Sequence, residues 1–337
     1  MSDKAMKIVL SVLTVILLIL IGCLFLLKDA GNRTDLNKLA IRMGEFRNYH
    51  TMNRANATPI LEKAFSRIGY DVFTSTEDNL YPQSLADAGV NFYVRGYNDY
   101  NTIRINPKAV NILYIRDYDT LQEEELKEFD GIATSSPGLY SYVMSTGYAA
   151  VFLPEFTDPS VFYPSPRKEL ERDLLYVGDN DRHNIAIATA IEAKLPVEIF
   201  GRFWVGNVED ENFKGEYIRD EDLGAYFSSA KINLVNITEN EARIGIIPSR
   251  VYDVAASKGF MITPYNEEIE KVFGDAIPMF KNAEELKELY NKYINDPSAR
   301  AQKAEIAYKI AVSEYNADAL AQRLNGLVEF LINEKKL

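Results

Sequence analysis

A group of charged residues surrounds a predicted helix start between Arg243 and Asp253. Pro248 and Ser249 stand at this start, where proline is favoured because its missing N–H would have no partner in the first turn. The free N–H groups and partial positive charge of a helix N-terminus bind anions, and the guanidinium groups of Arg243 and Arg250 add charge-assisted hydrogen bonds. The segment therefore predicts a diphosphate site.

Asp253 lies one turn into the same predicted helix. A carboxylate in this position can accept two hydrogen bonds from a ribose diol. Arg250 and Asp253 also have the i,i+3 spacing of a surface ion pair, which contributes about 0.2–0.5 kcal/mol. The local pattern leaves both interpretations open.

A second candidate site follows the predicted strand 173–177. Gly178 and Asn180 stand between this strand and a predicted helix, an arrangement that binds phosphate in many α/β folds. Asp179 and Asp181 have the spacing of an Asp-x-Asp metal motif, but Asp and Asn are also favoured helix N-caps. Carboxylates repel a diphosphate unless a metal stands between them. Because Asp and Asn are leading N-caps, we interpret this triplet as a helix cap and predict no metal site.

Gly201 and Arg202 follow the predicted strand 197–200. Ligands of parallel sheets bind at the carboxyl ends of the strands, so both residues are candidates for the same ligand site. The alternative is that Arg202 is an exposed, solvated side chain.

Two residues of the N-terminal half are candidate catalytic residues. His50 stands in a polar loop after the first predicted strand, and the pKa of histidine, near neutral, suits a general base. A lone histidine in a loop is more often merely solvated. Asp117, in Asp117-Tyr118-Asp119, is the second candidate, and this triplet has the same metal-or-cap ambiguity as the one after Gly178.

These residues need a scaffold of parallel strands. Apolar runs alternate with helical patterns, which is typical of βαβ units. The pattern pauses at Pro-Ser-Pro-Arg, residues 164–167, and then restarts. The sequence therefore predicts an α/β fold of two lobes, at 29–166 and 167–316, with a C-terminal helix at 317–337. We expect the terminal helices to pack back across both lobes. The predicted strands are 38–43, 70–74, 91–94, 110–115, 131–134 and 149–153, then 173–177, 197–200, 232–235 and 260–263.

Composition excludes several classes of protein. The 337 residues carry 37 Lys plus Arg and 49 Asp plus Glu, a net charge of -12, which disfavours nucleic acid as a partner. The only cysteine, Cys23, lies in an apolar segment, so the globular part has no internal disulfide. With two histidines in addition, a zinc site is not expected.

The segment 8–27 is uncharged and apolar. About 20 such residues at a rise of about 1.5 Å cover the hydrocarbon thickness of a bilayer, so we predict a transmembrane anchor over residues 1–28. Leu20-Ile21-Gly22-Cys23 weakly resembles a lipoprotein box, which is the alternative. Positive residues are Lys4 and Lys7 before the run and Lys28, Arg33, Lys38 and Arg42 after it. The positive-inside rule leans toward a cytoplasmic C-terminal part at the inner or plasma membrane.

Several stretches together resemble a known family. DLLYVGDNDRH, VEIFGRFW, GEYIRDEDLGAYFSSAKINLVNIT and ARIGIIPSRVYDVAASKGFMIT are similar to the C-terminal lobe of group-1-type glycosyltransferases. YHTMNRANATPILEKAFSRIGYDV, FYVRGYNDY, NILYIRDYDTLQEEELKEFDGIATSS and VFLPEFTDPSVFYP resemble their N-terminal lobe. The nearest subgroup contains spore-maturation CgeB-type and polysaccharide-biosynthesis enzymes. The resemblance implies the GT-B fold of two Rossmann-like lobes.

The resemblance also implies an activity. It predicts transfer of a hexose from a nucleoside-diphosphate sugar to a glycan or lipid-linked acceptor, without a metal or another cofactor. Asp253 would hold the ribose, and Arg243 and Arg250 would lie near the diphosphate. The other predicted donor-binding residues are Gly178, Asn180, Gly201, Arg202, Ile218, Pro248 and Ser249. The acceptor would meet His50 and Asp117 on the N-terminal lobe.

Two departures from the family pattern keep other functions open. Retaining members of the broad class carry Glu-x7-Glu, but Gly245 stands eight residues before Asp253. The subgroup tends to have Ser-His-Pro where this chain has Arg116-Asp117-Tyr118. A catalytically inactive, nucleotide-binding protein of the same fold is therefore one alternative. A two-lobed solute-binding lipoprotein that uses Cys23 is another.

Overall fold

A computed structural model describes residues 35–43, 52–74, 87–94, 106–116, 121, 123–180 and 184–337. Its strands form two separate six-stranded sheets, one in each half of the chain. The strand pairs within both sheets are parallel. The predicted α/β class with two lobes is confirmed.

The N-terminal sheet has the strand order β2-β1-β3-β4-β5-β6. The strands are β1 Asp35–Met43, β2 Asp71–Thr74, β3 Ala88–Val94, β4 Val110–Ile115, β5 Gly131–Thr134 and β6 Ala150–Phe152. All residues of β4 and β5 are buried, as are all but the last of β3. Parallel strands covered on both faces read as continuous apolar runs, and this is why the sequence located them well.

The C-terminal sheet has the order β12-β11-β10-β7-β8-β9. The strands are β7 Leu174–Val177, β8 Val197–Phe200, β9 Phe213–Gly215, β10 Ile232–Leu234, β11 Met261–Pro264 and β12 Met279–Phe280. The chain moves outward from β7 to β8 and β9, then returns to the other side of β7 to form β10. This reversal leaves a crevice at the carboxyl ends of β7 and β10, the place where ligands bind in open α/β sheets.

Helices cover the sheets. They are α1 Met52–Arg67, α2 Glu123–Glu128, α3 Pro137–Ser145, α4 Ile185–Glu192, α5 Asp220–Ser229, α6 Glu239–Ile244, α7 Ser249–Ala256, α8 Glu267–Phe273, α9 Ala283–Ile294, α10 Pro297–Glu314 and α11 Ala317–Lys335. Sequence patterns missed the short elements β9, β12, α6 and α8, because segments of two to seven residues are too short to show a period.

The last two helices connect the lobes. Ala307 and Ala311 of α10 lie in the core of the C-terminal lobe, whereas Leu324 and Val328 of α11 lie in the core of the N-terminal lobe. Lys335, at the end of α11, forms an ion pair of 2.7 Å with Asp130. The expected return of the terminal helices across both lobes is therefore confirmed.

The predicted transmembrane segment 8–27 lies outside the described residues. Among the residues that the structure does describe, no helix is both long enough and apolar enough to cross a membrane.

Candidate functional site

A cavity of about 320 Å³ lies at the strand-order reversal of the C-terminal sheet. This volume is at the lower end of the range for small-molecule sites. Its walls come from the segments that follow β7, β8, β9 and β10 and from the first turns of α5, α6 and α7. The lining residues are Tyr176, Val177, Gly178, Asp179, Phe200, Gly201, Arg202, Glu216, Tyr217, Ile218, Asp220, Leu223, Val235, Asn236, Thr238, Glu241 and Arg250.

Two glycines bring the loops after β7 and β8 into direct contact. The Gly178 N–H donates to the Phe200 carbonyl at 2.9 Å, and the Asn180 N–H donates to the Arg202 carbonyl at 2.9 Å. Gly201 has φ +150°, and a Cβ there would lie 1.9 Å from the Gly178 carbonyl oxygen. Only glycine fits at 201, since any side chain would drive the two loops apart.

Replacing Gly201 by alanine is expected to lower the free energy of unfolding by about 2 kcal/mol, because its Cβ overpacks this contact. Urea unfolding followed by the fluorescence of Trp204, the only tryptophan, measures the change. Gly206→Ala is the matched control: Gly206 has φ +76° but open space around its Cβ position, so only a backbone cost of about 1 kcal/mol is expected. Equal losses in the two variants would contradict the role of the close approach.

Asp179 fixes the loop after β8. Its carboxylate accepts hydrogen bonds from the Arg202 backbone N–H at 2.8 Å and from Arg202 Nε at 3.0 Å. The hydrogen bond to Asp179 is the main cause that raises the pKa of the Arg202 guanidinium. Arg202 is therefore a paired residue of the cavity wall, and its interpretation as a solvated side chain is wrong.

The helix cap predicted at Asp179 is also wrong. Helix α4 begins at Ile185, and its N-cap is Asn184, whose side chain accepts from the Ile187 N–H at 3.0 Å. Asp179 stands too far before the helix to reach its first N–H groups, and it binds Arg202 instead. Asp181 lies outside the described residues.

Helix α6 forms another wall of the cavity. Thr238 and Glu241 form a capping box, in which the Glu241 N–H donates to Thr238 Oγ1 at 3.2 Å and the Thr238 N–H donates to Glu241 Oε2 at 2.8 Å. This motif fixes the start of a helix of only six residues. The Glu241 carboxylate is thereby engaged within the wall.

Arg250, in the first turn of α7, brings a cation to the cavity. Its Nη1 atom is buried and has no hydrogen-bond partner within the described part of the chain. Its guanidinium lies over the Phe227 ring, with Cζ 5.1 Å from the ring centroid. Buried donors without a partner are costly and uncommon, and because Arg250 also lines the cavity, its guanidinium has spare capacity to bind an acceptor from a ligand there.

Asp253 is buried and is not one of the lining residues. It is 7 % exposed and accepts a hydrogen bond from Thr157 Oγ1 at 3.0 Å. Burial raises the pKa of its carboxyl to about 7, while the nearby Arg250 charge and the Thr157 hydrogen bond act in the opposite direction. The surface ion pair considered for Arg250 and Asp253 is wrong, because Asp253 is buried and bonds to Thr157. A ribose ligand would have to reach this buried carboxyl.

The structure gathers some of the predicted site residues and separates others. Those that line the cavity are Gly178, Gly201, Arg202, Ile218 and Arg250. Asn180 supports the wall, since its Nδ2 donates to the Phe203 carbonyl at 3.0 Å. Pro248, the N-cap of α7, and Ser249, its first residue, lie beside the lining without being part of it.

Arg243 is exposed and does not line the cavity. Its Nη2 donates to Asn240 Oδ1 at 2.7 Å, within α6. The structure thus gives no support to a diphosphate contact by Arg243. His50 and Asp117, the predicted catalytic residues, lie outside the described residues.

Sequence reasoning missed several lining residues. They are Tyr176, Glu216, Tyr217, Asp220, Asn236, Thr238 and Glu241. One signal was available: Thr238-x-x-Glu241 is the sequence signature of a capping box, and it marks a helix start after β10. Within the described residues, no group of three or more His, Cys, Asp or Glu could hold a metal ion.

Residues 181–326 match the family described as glycosyl transferase-like. The chain carries a glycosyl transferase-like domain. This match begins before α4, ends within α11 and includes most of the lining residues, but not those of β7 and the turn after it. No curated protein matches the chain in sequence.

Solved structures share the fold of this chain over most of its length. A sucrose-phosphate synthase from Thermosynechococcus elongatus has a TM-score of 0.62 at 14 % identity, covering 88 % of this chain and 99 % of that one. HepE from Anabaena, in complex with UDP-glucose, has a TM-score of 0.60 at 11 % identity, covering 88 % and 99 %. BGT of T4 phage, in complex with its UDP-glucose substrate, has a TM-score of 0.55 at 15 % identity, covering 89 % and 100 %. These likenesses confirm the GT-B fold.

Proposed function

We propose that this protein transfers a sugar from a nucleoside-diphosphate sugar, whose diphosphate binds in the cavity of the C-terminal lobe. The observation that carries the proposal is that Arg250, a residue of the cavity lining, has a buried Nη1 without a hydrogen-bond partner within the described part of the chain. The cavity stands at the switch point of a Rossmann-like sheet, where phosphate-bearing ligands bind. The other arginine of the lining, Arg202, is already paired with Asp179, so Arg250 is the cation best placed to accept a ligand charge.

Arg250 also suits the chemistry of the transfer. The bond between the anomeric carbon and the diphosphate oxygen breaks, while an acceptor hydroxyl oxygen bonds to that carbon and gives up its proton. Negative charge therefore accumulates on the leaving diphosphate. A fixed guanidinium on a low-dielectric wall stabilises this developing charge without having to reorganise.

We further propose a hexose as the transferred sugar and a glycan or lipid-linked molecule as the acceptor. The UDP-glucose bound by HepE and by T4 BGT supports a uridine diphosphohexose as the first donor to test. The acceptor would approach from the N-terminal lobe, with His50 or Asp117 as the base. We propose that the reaction needs no metal; two of the four lining carboxylates, those of Asp179 and Glu241, are engaged by protein groups.

Binding and turnover are tested separately on the full chain. Titration with UDP, GDP, ADP and UDP-glucose, followed by Trp204 fluorescence, is expected to show saturable binding of one nucleotide, because Trp204 donates to the Gly178 carbonyl at the cavity wall. Turnover is measured as release of the nucleoside diphosphate with a panel of glycan and lipid acceptors, with and without EDTA. Absence of binding by every nucleotide at millimolar concentration would overturn the proposed function.

A catalytically inactive donor-binding protein is the second candidate. Gly245 stands where retaining relatives carry glutamate, and it has φ +74° at the C-cap of α6. Nucleotide binding without turnover on any acceptor would favour this candidate.

We propose a single-pass membrane anchor at 8–27, with the catalytic part in the cytoplasm. The support is the length of the uncharged apolar run. Cys23→Ser should leave the protein in the membrane fraction, whereas release by this substitution would favour a lipoprotein.

A further inference from the structure

A buried hydrogen bond joins the two lobes next to the proposed donor site. Ser136 is the N-cap of α3 in the N-terminal lobe, and its Oγ donates to the Ile244 carbonyl of the C-terminal lobe at 3.0 Å. The same oxygen accepts from the Leu139 N–H at 3.3 Å. Ser136 is fully buried and Ile244 is 5 % exposed, so neither partner has water as a substitute.

Gly245 permits this close approach. It ends α6 with φ +74°, and a Cβ there would lie 3.4 Å from Pro137 Cδ of the other lobe and 3.2 Å from Glu268 Cγ. A glutamate at 245, as in the retaining pattern, would be strained in its backbone and would press against Pro137. This chain therefore uses position 245 for a contact between lobes.

Helix α6 connects this contact to the cavity. Its first residues carry the capping box of Thr238 and Glu241, which line the cavity, and its last residue, Ile244, receives the hydrogen bond from Ser136. A helix of six residues has little stability of its own, so contacts at its two ends set its position. One of these contacts comes from the opposite lobe.

We propose that Ser136 is a positioning residue for the donor site: from the N-terminal lobe it holds α6, and with it the Thr238–Glu241 wall, in the place that the nucleoside diphosphate needs. This proposal rests on the proposed function of the cavity. It makes donor affinity depend on the arrangement of the lobes. Loss of the hydrogen bond leaves the buried Ile244 carbonyl without its donor and frees the end of the wall.

Two substitutions separate this role from the other properties of Ser136. Ser136→Ala removes both the helix cap and the hydrogen bond to Ile244. Ser136→Asp keeps a good cap but, when ionised, cannot donate to a carbonyl and adds a negative charge, so this variant is measured at pH 8. The two variants share only the loss of the contact between lobes. Ser136→Thr retains both functions, and Ser141→Ala, which removes a hydrogen bond to the Pro137 carbonyl within α3, is the control on the same helix.

The dissociation constant of UDP, measured on the full chain by Trp204 fluorescence, is the test, with the melting temperature recorded for each variant. Ser136→Ala and Ser136→Asp are both expected to raise the dissociation constant of UDP about 3- to 10-fold, which corresponds to the loss of one net hydrogen bond. Ser136→Thr and Ser141→Ala should bind as the wild type does. Weakening in the Asp variant alone would be an effect of charge, weakening in the Ala variant alone an effect of the cap, and either result overturns the proposal.

The outcome also separates this proposal from the proposed function. A wild-type chain that binds UDP, together with Ser136 variants that bind it equally well, overturns the positioning role and leaves the function standing. If the wild-type chain binds no nucleotide, both the positioning role of Ser136 and the proposed function are overturned.

Discussion

Replacing Arg250 by methionine is expected to weaken nucleotide binding about 10- to 100-fold. Hydrogen bonds to charged groups contribute about 1.5–3 kcal/mol, and each 1.4 kcal/mol is about a factor of ten in the dissociation constant. Arg250 carries a buried Nη1 without a partner, so the loss should fall on the ligand rather than on an internal contact. Methionine fills the space of the arginine stem and adds no polar group, while it gives up the contact of the guanidinium with the Phe227 ring.

The stability of this variant is expected to stay near that of the wild type or to rise. An unpaired buried donor costs free energy in the empty protein, and methionine removes that cost. Arg250→Lys should bind with intermediate affinity, because lysine keeps the charge but loses the planar fork of donors. Calorimetric titration with UDP and with the donor sugar measures these affinities, and urea unfolding measures the stability.

Arg243→Met is the matched control for charge. Arg243 is exposed, bonds to Asn240 and lies away from the cavity, although the sequence placed it beside Arg250. The Arg243→Met variant should bind nucleotide with the affinity of the wild type. Equal losses in the Arg243 and Arg250 variants would indicate a general charge effect and contradict a specific site at Arg250.

The sequence located the site well where local pattern decides the structure. Gly178 and Gly201 follow buried apolar strands, and the carboxyl ends of parallel strands share one edge of the sheet. Their meeting was therefore predictable. The outer strand β9, with the half-buried and exposed residues Phe213–Gly215, gave no apolar run and was missed.

Partners that are distant in sequence decided the rest. Asp253 bonds to Thr157, 96 residues away, and Arg202 bonds to Asp179 across two loops. Nothing in the local pattern showed that Asp253 would be buried, because a carboxylate one turn into a helix usually faces solvent. The direction in which Arg243 points depends on the packing of α6, a helix that the sequence prediction did not contain.

Asp253→Asn is expected to stabilise the protein at alkaline pH and to leave it nearly unchanged near pH 4. Burial raises the pKa of Asp253 from 3.8 to about 7 in the folded protein. Between these two pH values the folded state keeps a proton that the unfolded state has released. The free energy of unfolding therefore falls as pH rises through this window, by a total of about 4 kcal/mol for this group. Asparagine stays neutral, and its amide oxygen can accept the hydrogen bond from Thr157.

Urea unfolding of both proteins from pH 4 to pH 8, followed by Trp204 fluorescence, gives the difference curve. Trp204 is 3 % exposed and lies in the C-terminal lobe, so it reports the lobe that contains Asp253. The free energy of unfolding of the asparagine variant should be close to that of the wild type at pH 4 and should exceed it by about 4 kcal/mol at pH 8. Asp210→Asn, at an exposed position, is the surface control and should show no such growth.

Nucleotide affinity of the same variant decides between the two roles open to Asp253. If the carboxylate holds the ribose, as the family resemblance implies, Asp253→Asn should weaken UDP binding at every pH. Asp253 is buried and is not one of the lining residues, which supports a different result. At pH 6, where the wild-type carboxyl is largely protonated, Asp253→Asn should bind UDP with the same affinity as the wild type. Above pH 7, ionised Asp253 competes with the diphosphate for the Arg250 charge, so the wild type should lose affinity while the asparagine variant keeps it. A loss of UDP affinity at pH 6 in the asparagine variant would contradict this prediction and would indicate that the Asp253 carboxylate binds the ribose.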